Sequence, residues 1–184
     1  MQSFVSSRGR TLIGWDEILE GGRLAPDAAF MSWRGTEGGR AAARDGHRVV
    51  MTPTSHCYLD YYQSRDRESK PPAIGGFLPL SKVYQFDPCG GVPEEDRRYI
   101  LGGQGNVWTE YMNTQEQVEY MAYPRACALA ERLWTPLPSH EGARNEDYGD
   151  FRRRLESHFV LLDSLGVNYR KPRWSDDLAD GGDT

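Results

Sequence analysis

The 184-residue chain is poor in cysteine, has no long apolar run and gathers no basic charge in one place. Its three cysteines, Cys57, Cys89 and Cys127, lie far apart without C-x-x-C spacing. That argues against a disulfide framework and a zinc site, and leaves a buried free thiol as the ordinary reading of Cys57 and Cys127. The four histidines (His47, His56, His140, His158) form no H-x-x-x-H pair, so no metal and no cofactor is expected. No segment approaches the roughly 20 apolar residues that cross a bilayer, so no membrane partner is expected. Lys and Arg number 22 against 27 Asp and Glu, interspersed along the chain, for a net charge of -5. Nucleic-acid binding needs a basic stripe, and none is present. The opening M-Q-S-F-V has no basic region followed by an apolar core, so no leader is visible in it.

What the chain does contain is an alternation of short apolar stretches with helical ones. Strands are expected at Thr11–Trp15, Ala28–Trp33, Arg48–Met51 and Tyr99–Trp108, with Cys57 also in a strand-like setting. An alanine- and arginine-rich helix over Thr36–Asp45, stopped by Gly46, separates the second and third strands, and Gly9 would close a helix with almost no body. Such alternation argues for β-α units and a parallel sheet. From Gln63 to Arg98 the pattern dissolves into charge, proline and glycine, apart from a short helix near Leu80–Tyr84. Thr114 with Gln117 makes a capping-box signature, Pro124 interrupts the helix it opens, and a second segment runs to Trp134. Phe151, Leu155, Phe159, Leu162 and Leu165 mark one face of a last helix, with Gly166 as its stop. The acidic segment Ser175–Thr184 reads as a flexible tail.

The chemistry concentrates in Leu101–Met112, L-G-G-Q-G-N-V-W-T-E-Y-M. Side chains two apart on an extended strand share a face, so Trp108 and Glu110 would project together. Tyr58-Leu59-Asp60 repeats the aromatic-x-acid spacing, and Trp15 and Trp33 sit near two further strand ends. An isolated W-x-E is more often a buried indole beside a solvated carboxylate. Recurrence at several strand ends favours a site. Trp134, Trp174, Tyr61 and Tyr62 read as packing residues, and Glu94-Glu95-Asp96 as a solvent-facing charge run.

G-W-D-E-I-L-E-G-G (Gly14–Gly22), M-S-W-R-G (Met31–Gly35), Y-L-D-Y-Y (Tyr58–Tyr62) and N-V-W-T-E (Asn106–Glu110) occur in series. Together with A-Y-P-R-A-C-A-L-A-E-R-L-W and L-G-V-N-Y-R, they resemble family 20 glycoside hydrolases, the β-N-acetylhexosaminidases. The resemblance implies an α/β fold, the C-terminal half of a (β/α)8 barrel. The four strands would match the fifth to eighth, residues 1–174 forming this partial catalytic domain together with a C-terminal helix. A whole barrel takes about 250 residues, so the N-terminal half is expected elsewhere. A half-barrel would expose two sheet edges and tend to aggregate or dimerise.

The resemblance also implies an activity: retaining, substrate-assisted hydrolysis of terminal β-linked N-acetylglucosamine or N-acetylgalactosamine. The family's acid lies in an H-x-G-G-D-E motif that does not occur here, so this segment alone would be inactive. Asp16-Glu17 matches a block whose carboxylates are not the catalytic pair. By the same resemblance, Trp15, Trp33 and Trp108 enclose the acetamido group and the sugar's apolar face. Tyr58 orients the acetamido oxygen, and Asp60 and Glu110 bind sugar hydroxyls. Arg34 is open to two readings, holding a loop near the pocket or a surface ion pair. The family acts mostly outside the cytoplasm or in lysosomes, so the same is expected here. Two other readings stand beside this one: a non-catalytic carbohydrate-binding or interaction protein of the same fold, and a glycosidase using Asp60 and Glu110 as its carboxylate pair.

Overall fold

The computed structural model describes residues 1–22, 24–135 and 141–174. The chain divides into two compact units. The first comprises Met1–Cys57 and Asp87–Gln104; the second comprises Tyr58–Phe86 and the chain from Gly105 onward.

The first unit is a four-stranded parallel sheet in the order β1-β2-β3-β4, made of Ile13–Trp15, Ala29–Ser32, Arg48–Met51 and Ile100–Gly103. Parallel strands covered on both faces read as continuous apolar runs. Accordingly Ala29, Phe30, Val49 and Met51 in the two central strands are buried. The outer strands are less covered, and Ile13 and Leu101 stand more than half exposed. Helix α1 (Gln2–Ser7) precedes β1, and α2 (Glu37–Arg44) packs on β2 and β3. Gly39 makes that packing possible: a Cβ there would meet the Met51 sulfur at 2.7 Å and Ser32 Cβ at 3.0 Å. Gly46, at φ 85, turns the chain out of α2 as its sequence position predicts. A helical turn, α3 (Thr54–Cys57), follows β3.

The second unit is mainly helical: α4 (Leu80–Tyr84), α5 (Gln115–Ala122), α6 (Arg125–Trp134) and α7 (Glu141–Ser164). Thr114 caps α5 by accepting from the Gln117 backbone N–H at 3.2 Å. The reciprocal arm of the box is displaced by one residue, the Gln117 side chain accepting from Asn113 N–H at 2.6 Å. Helix α4 packs on α6, and the Tyr84 ring stacks on Phe151 of α7 at 4.6 Å between centroids. The Tyr84 hydroxyl donates to Glu131, whose carboxylate also binds Arg154. The α7 face predicted from spacing is largely present, with Phe151, Leu155 and Leu162 buried.

Several expectations need correction. The strand over Tyr99–Trp108 is only Ile100–Gly103: a 3-10 helix occupies Glu94–Tyr99, and the pairing with β3 stops at Gly103. Trp108 and Glu110 therefore lie in the loop beyond the strand. Cys57 closes the helical turn α3 rather than lying in a strand, and Tyr58 follows that turn. Helix α1 has a six-residue body of its own. A further 3-10 helix spans Asp16–Gly21, after β1. Leu165 is 67% exposed, because α7 stops at Ser164 and Gly166 (φ 69) turns the chain away. Trp134, the last residue of α6, is 89% exposed rather than a packing residue. The segment Ser175–Thr184 and His140 lie outside the described residues.

Candidate active site

In the first unit, Trp15 ends β1 and Trp33 immediately follows β2; in the ladder Trp15 stands opposite Met31. Both indoles are half-buried. The turn carrying Trp33 is fixed by Asp16, whose Oδ2 accepts from the backbone N–H groups of Trp33 and Arg34, each at 2.9 Å. Its other oxygen, Oδ1, is buried without a hydrogen-bond partner among the described residues. A Cβ on Gly38 would come within 3.0 Å of that oxygen, so glycine there lets α2 approach it. Glu17 accepts from the Trp33 indole N–H at 3.2 Å and pairs with Arg34 at 3.0 Å. Its carboxyl is held below its ordinary value, first by its own backbone N–H and then by Trp33. Arg34 also reaches Glu20, so it is an exposed ion-pair residue behind the Trp33 turn. Asp16-Glu17 thus holds Trp33 in place, from a position the sequence marked only as a non-catalytic pair.

In the second unit, Tyr58 and Asn106 form an isolated parallel bridge, and Leu59 N–H donates to the Asn106 carbonyl at 2.7 Å. This tie brings the Tyr58–Asp60 segment to the Trp108 loop. Tyr58 is only 8% exposed and Asp60 only 4%, whereas Trp108 is 42% exposed. Gly105 allows the close approach beneath them, since a Cβ there would lie 2.8 Å from Leu129 and 3.2 Å from Leu59. The Trp108 side chain hydrogen-bonds Tyr58, and an indole can only donate, so the Tyr58 oxygen accepts.

The electrostatics of this group are coupled. Burial raises the Tyr58 hydroxyl above its ordinary pKa; hydrogen bonds from Trp108 and Asn106 oppose this, and the Asp60 charge reinforces it. Burial pushes the Asp60 carboxyl up to about 6, against its own backbone N–H and the Arg125 charge, and with Glu110 adding to the rise. The structure therefore brings Tyr58, Asp60, Trp108 and Glu110 together in one unit, and Trp15 with Trp33 in the other. Among the described residues no group of three or more His, Cys, Asp or Glu is placed to hold a metal ion. His56 bonds its neighbour Ser55 at 2.8 Å.

Two residues were missed by sequence reasoning. Asn106 is buried and bridges to Tyr58. Arg125 is fully buried in α6, donating to backbone carbonyls on either side of Asp60. Its only signal was a guanidinium set among the small apolar residues of P-R-A-C-A-L-A.

The model of glycosyl hydrolase family 20, catalytic domain, matches residues 1–137. The chain belongs to this family. The beta-hexosaminidase of Porphyromonas gingivalis is 49% identical over 173 residues, 93% of this chain and 21% of that protein. The beta-hexosaminidase of Vibrio furnissii is 35% identical over 138 residues, 73% of this chain and 23% of that protein. The chain thus spans between a fifth and a quarter of these curated relatives. Among solved structures, the family 20 exo beta-N-acetylglucosaminidase of Vibrio harveyi in complex with N-acetylglucosamine superposes with a TM-score of 0.79 at 33% identity. That match covers 93% of this chain and 26% of the other. The parallel α/β sheet and these neighbours fit a TIM-barrel-type fold.

Proposed function

We propose that this family 20 chain supplies the sugar-binding walls of a retaining, substrate-assisted β-N-acetylhexosaminidase acting on glycans ending in β-linked N-acetylglucosamine or N-acetylgalactosamine. The observation that carries the reading is Tyr58, a buried residue bridged to Asn106, whose hydroxyl accepts from Trp108 and which is grouped with Asp60 and Glu110. A hydroxyl polarised by an incoming hydrogen bond donates more strongly. Tyr58 donates to the substrate's acetamido oxygen, aiming it at the anomeric carbon. That oxygen attacks, the glycosidic bond breaks, and the leaving oxygen takes a proton. The negative charge of Asp60 and Glu110 suits them to accept from sugar hydroxyls. The indoles of Trp15, Trp33 and Trp108 offer flat apolar plates to the sugar's C–H groups and acetamido methyl.

The proton for the leaving oxygen comes from outside these residues, since no H-x-G-G-D-E motif occurs among them. The four strands are then read as the fifth to eighth of the barrel, completed by an N-terminal half that carries the acid. The β-hexosaminidase names of the relatives and the N-acetylglucosamine complex of the Vibrio harveyi enzyme support this substrate class.

The test is hydrolysis of 4-nitrophenyl N-acetyl-β-glucosaminide, with the anomer of the product read by NMR. These residues alone give no turnover. Preceded by the segment bearing H-x-G-G-D-E, they give turnover with retention, and Tyr58→Phe lowers kcat by about 10²–10³-fold. An inverted product overturns the mechanism. Binding of N-acetylglucosamine without turnover by the longer protein identifies a carbohydrate-binding protein instead.

A further inference from the structure

We propose that Arg125 is a positioning residue of the sugar pocket, holding the backbone on both sides of Asp60 and so fixing where Tyr58 and Asp60 point. The inference rests on the pocket reading above.

Arg125 has no exposed surface. Its Nη2 donates to the Leu59 carbonyl at 2.6 Å and the Met121 carbonyl at 2.7 Å. Its Nη1 donates to the Tyr61 carbonyl at 3.0 Å and the Leu78 carbonyl at 2.9 Å. Leu59 and Tyr61 are the neighbours of Asp60 in the chain, so one guanidinium pins the peptide groups before and after the pocket carboxylate. The other two carbonyls anchor the clamp. Met121 lies in the last turn of α5, where carbonyls lack intrahelical partners. Leu78 lies just before α4. Only a planar fork with several fixed donors collects carbonyls from three separated segments; an ammonium on a flexible stem does not.

A guanidinium that merely satisfied carbonyls for the sake of folding would need no relation to Asp60, but this one also acts on it electrostatically. Among the described residues, the charged and titratable groups acting on the pair are few. Asp60 feels Arg125 and Glu110, and its charge acts on Tyr58 and Tyr61. Arg125 feels Arg170 and Tyr120 as well as Asp60. The Arg125 cation favours the ionised Asp60 that can accept from a sugar hydroxyl. Burial and Glu110 oppose it.

The test uses the full-length protein with 4-nitrophenyl N-acetyl-β-glucosaminide, comparing wild type with Arg125→Lys and Arg125→Met. Arg125→Lys keeps the charge and loses the fork. KM rises, kcat/KM falls about 10²-fold, the cost of a small misplacement, and the acid limb of the pH profile stays in place. Arg125→Met also removes the cation, so Asp60 ionises at higher pH and the acid limb moves upward. Asp60→Asn in the Arg125→Met background abolishes that movement. Hydrogen–deuterium exchange of residues 58–62 accelerates in both single variants. If Arg125→Met does not fold, Arg125→Lys carries the test through KM and exchange. Folded variants with wild-type KM, acid limb and exchange overturn the proposal. A wild-type protein inert toward the glycoside overturns the sugar-pocket reading, and exchange of residues 58–62 then decides the positioning role alone.

Discussion

Two turns that carry residues of the proposed pocket, one in each unit, are each tied down by one charged side chain, and the two ties have opposite sign. In the first unit the Asp16 carboxylate accepts from two successive backbone N–H groups, those of Trp33 and Arg34. In the second unit the Arg125 guanidinium donates to backbone carbonyls, including those of Leu59 and Tyr61. A chain that leaves a strand or a helical turn exposes orphan groups of either kind, and a buried orphan is costly. The difference lies in reach. A carboxylate is compact and grips adjacent amides, so Asp16 fixes one local turn. A guanidinium spreads its donors, so Arg125 gathers carbonyls that are far apart in sequence. Both reach across the fold, but Asp16, 17 residues from Trp33, holds a single turn and is the local clamp, whereas Arg125 joins three separated segments and is the tertiary one.

If that contrast is right, breaking the tertiary clamp has the largest effect on folding. Arg125→Met leaves buried carbonyls unpaired and takes a cation from beside Asp60. A loss of about 3–5 kcal/mol is expected, as for removing one member of a buried charged network. Urea denaturation of the purified protein measures it, and a loss below 1 kcal/mol would make Arg125 no hub. Asp16→Ala comes next, because it strips two charge-assisted bonds from one turn and touches nothing distant. About 2–3 kcal/mol is expected, with faster hydrogen–deuterium exchange of the Trp33 and Arg34 amides as their turn loosens. Asp16→Asn, which keeps an acceptor oxygen, should recover most of both. Equal damage from Ala and Asn would mean that charge, not the acceptor, holds the turn.

The two clamps were unequally legible in the sequence. β-branched and apolar runs reported β2 and β3 because parallel strands are buried on both faces. The Thr114 cap and the Phe151, Leu155, Leu162 face were legible because each is a local periodicity. The aromatics of the proposed pocket were singled out only through motif resemblance; nothing in W-x-E by itself separates a sugar plate from a core filler. Trp15 does end a strand, but Trp108 does not, because the ladder stops at Gly103 and Trp108 lies in the loop beyond. Arg125 was illegible in physical terms. A buried guanidinium is unfavourable until its carbonyls are assembled, and Leu59, Tyr61 and Leu78 are brought to it by tertiary folding alone.

Asp60 sharpens the contrast through pH. Its pKa is raised to about 6 from an ordinary 3.8, mainly by burial. A carboxyl raised in the folded state holds its proton more tightly there than when unfolded. Its ionisation therefore subtracts stability as pH climbs from about 3.8 to about 6. The sign is opposite to that of an ion-paired acid. Asp60→Asn removes this penalty, so the variant should melt higher than wild type at pH 7 and level with it at pH 3.5, while losing affinity for N-acetylglucosamine. A variant less stable at both pH values would show that Asp60 is held by its contacts rather than strained for binding.

The smallest effect belongs to the outer layer of the local clamp. Glu17 accepts from the Trp33 indole and pairs with Arg34, but Glu17 and Arg34 are both open to solvent, and such pairs are screened and entropically costly. Glu17→Gln keeps an acceptor for the indole and drops only the charge. Its melting temperature should match wild type in low and high salt alike, while Asp16→Ala remains destabilised in both. A salt-dependent loss in Glu17→Gln would move the holding force of the Trp33 turn outward, from the buried carboxylate to the surface cluster of Glu17, Arg34 and Glu20.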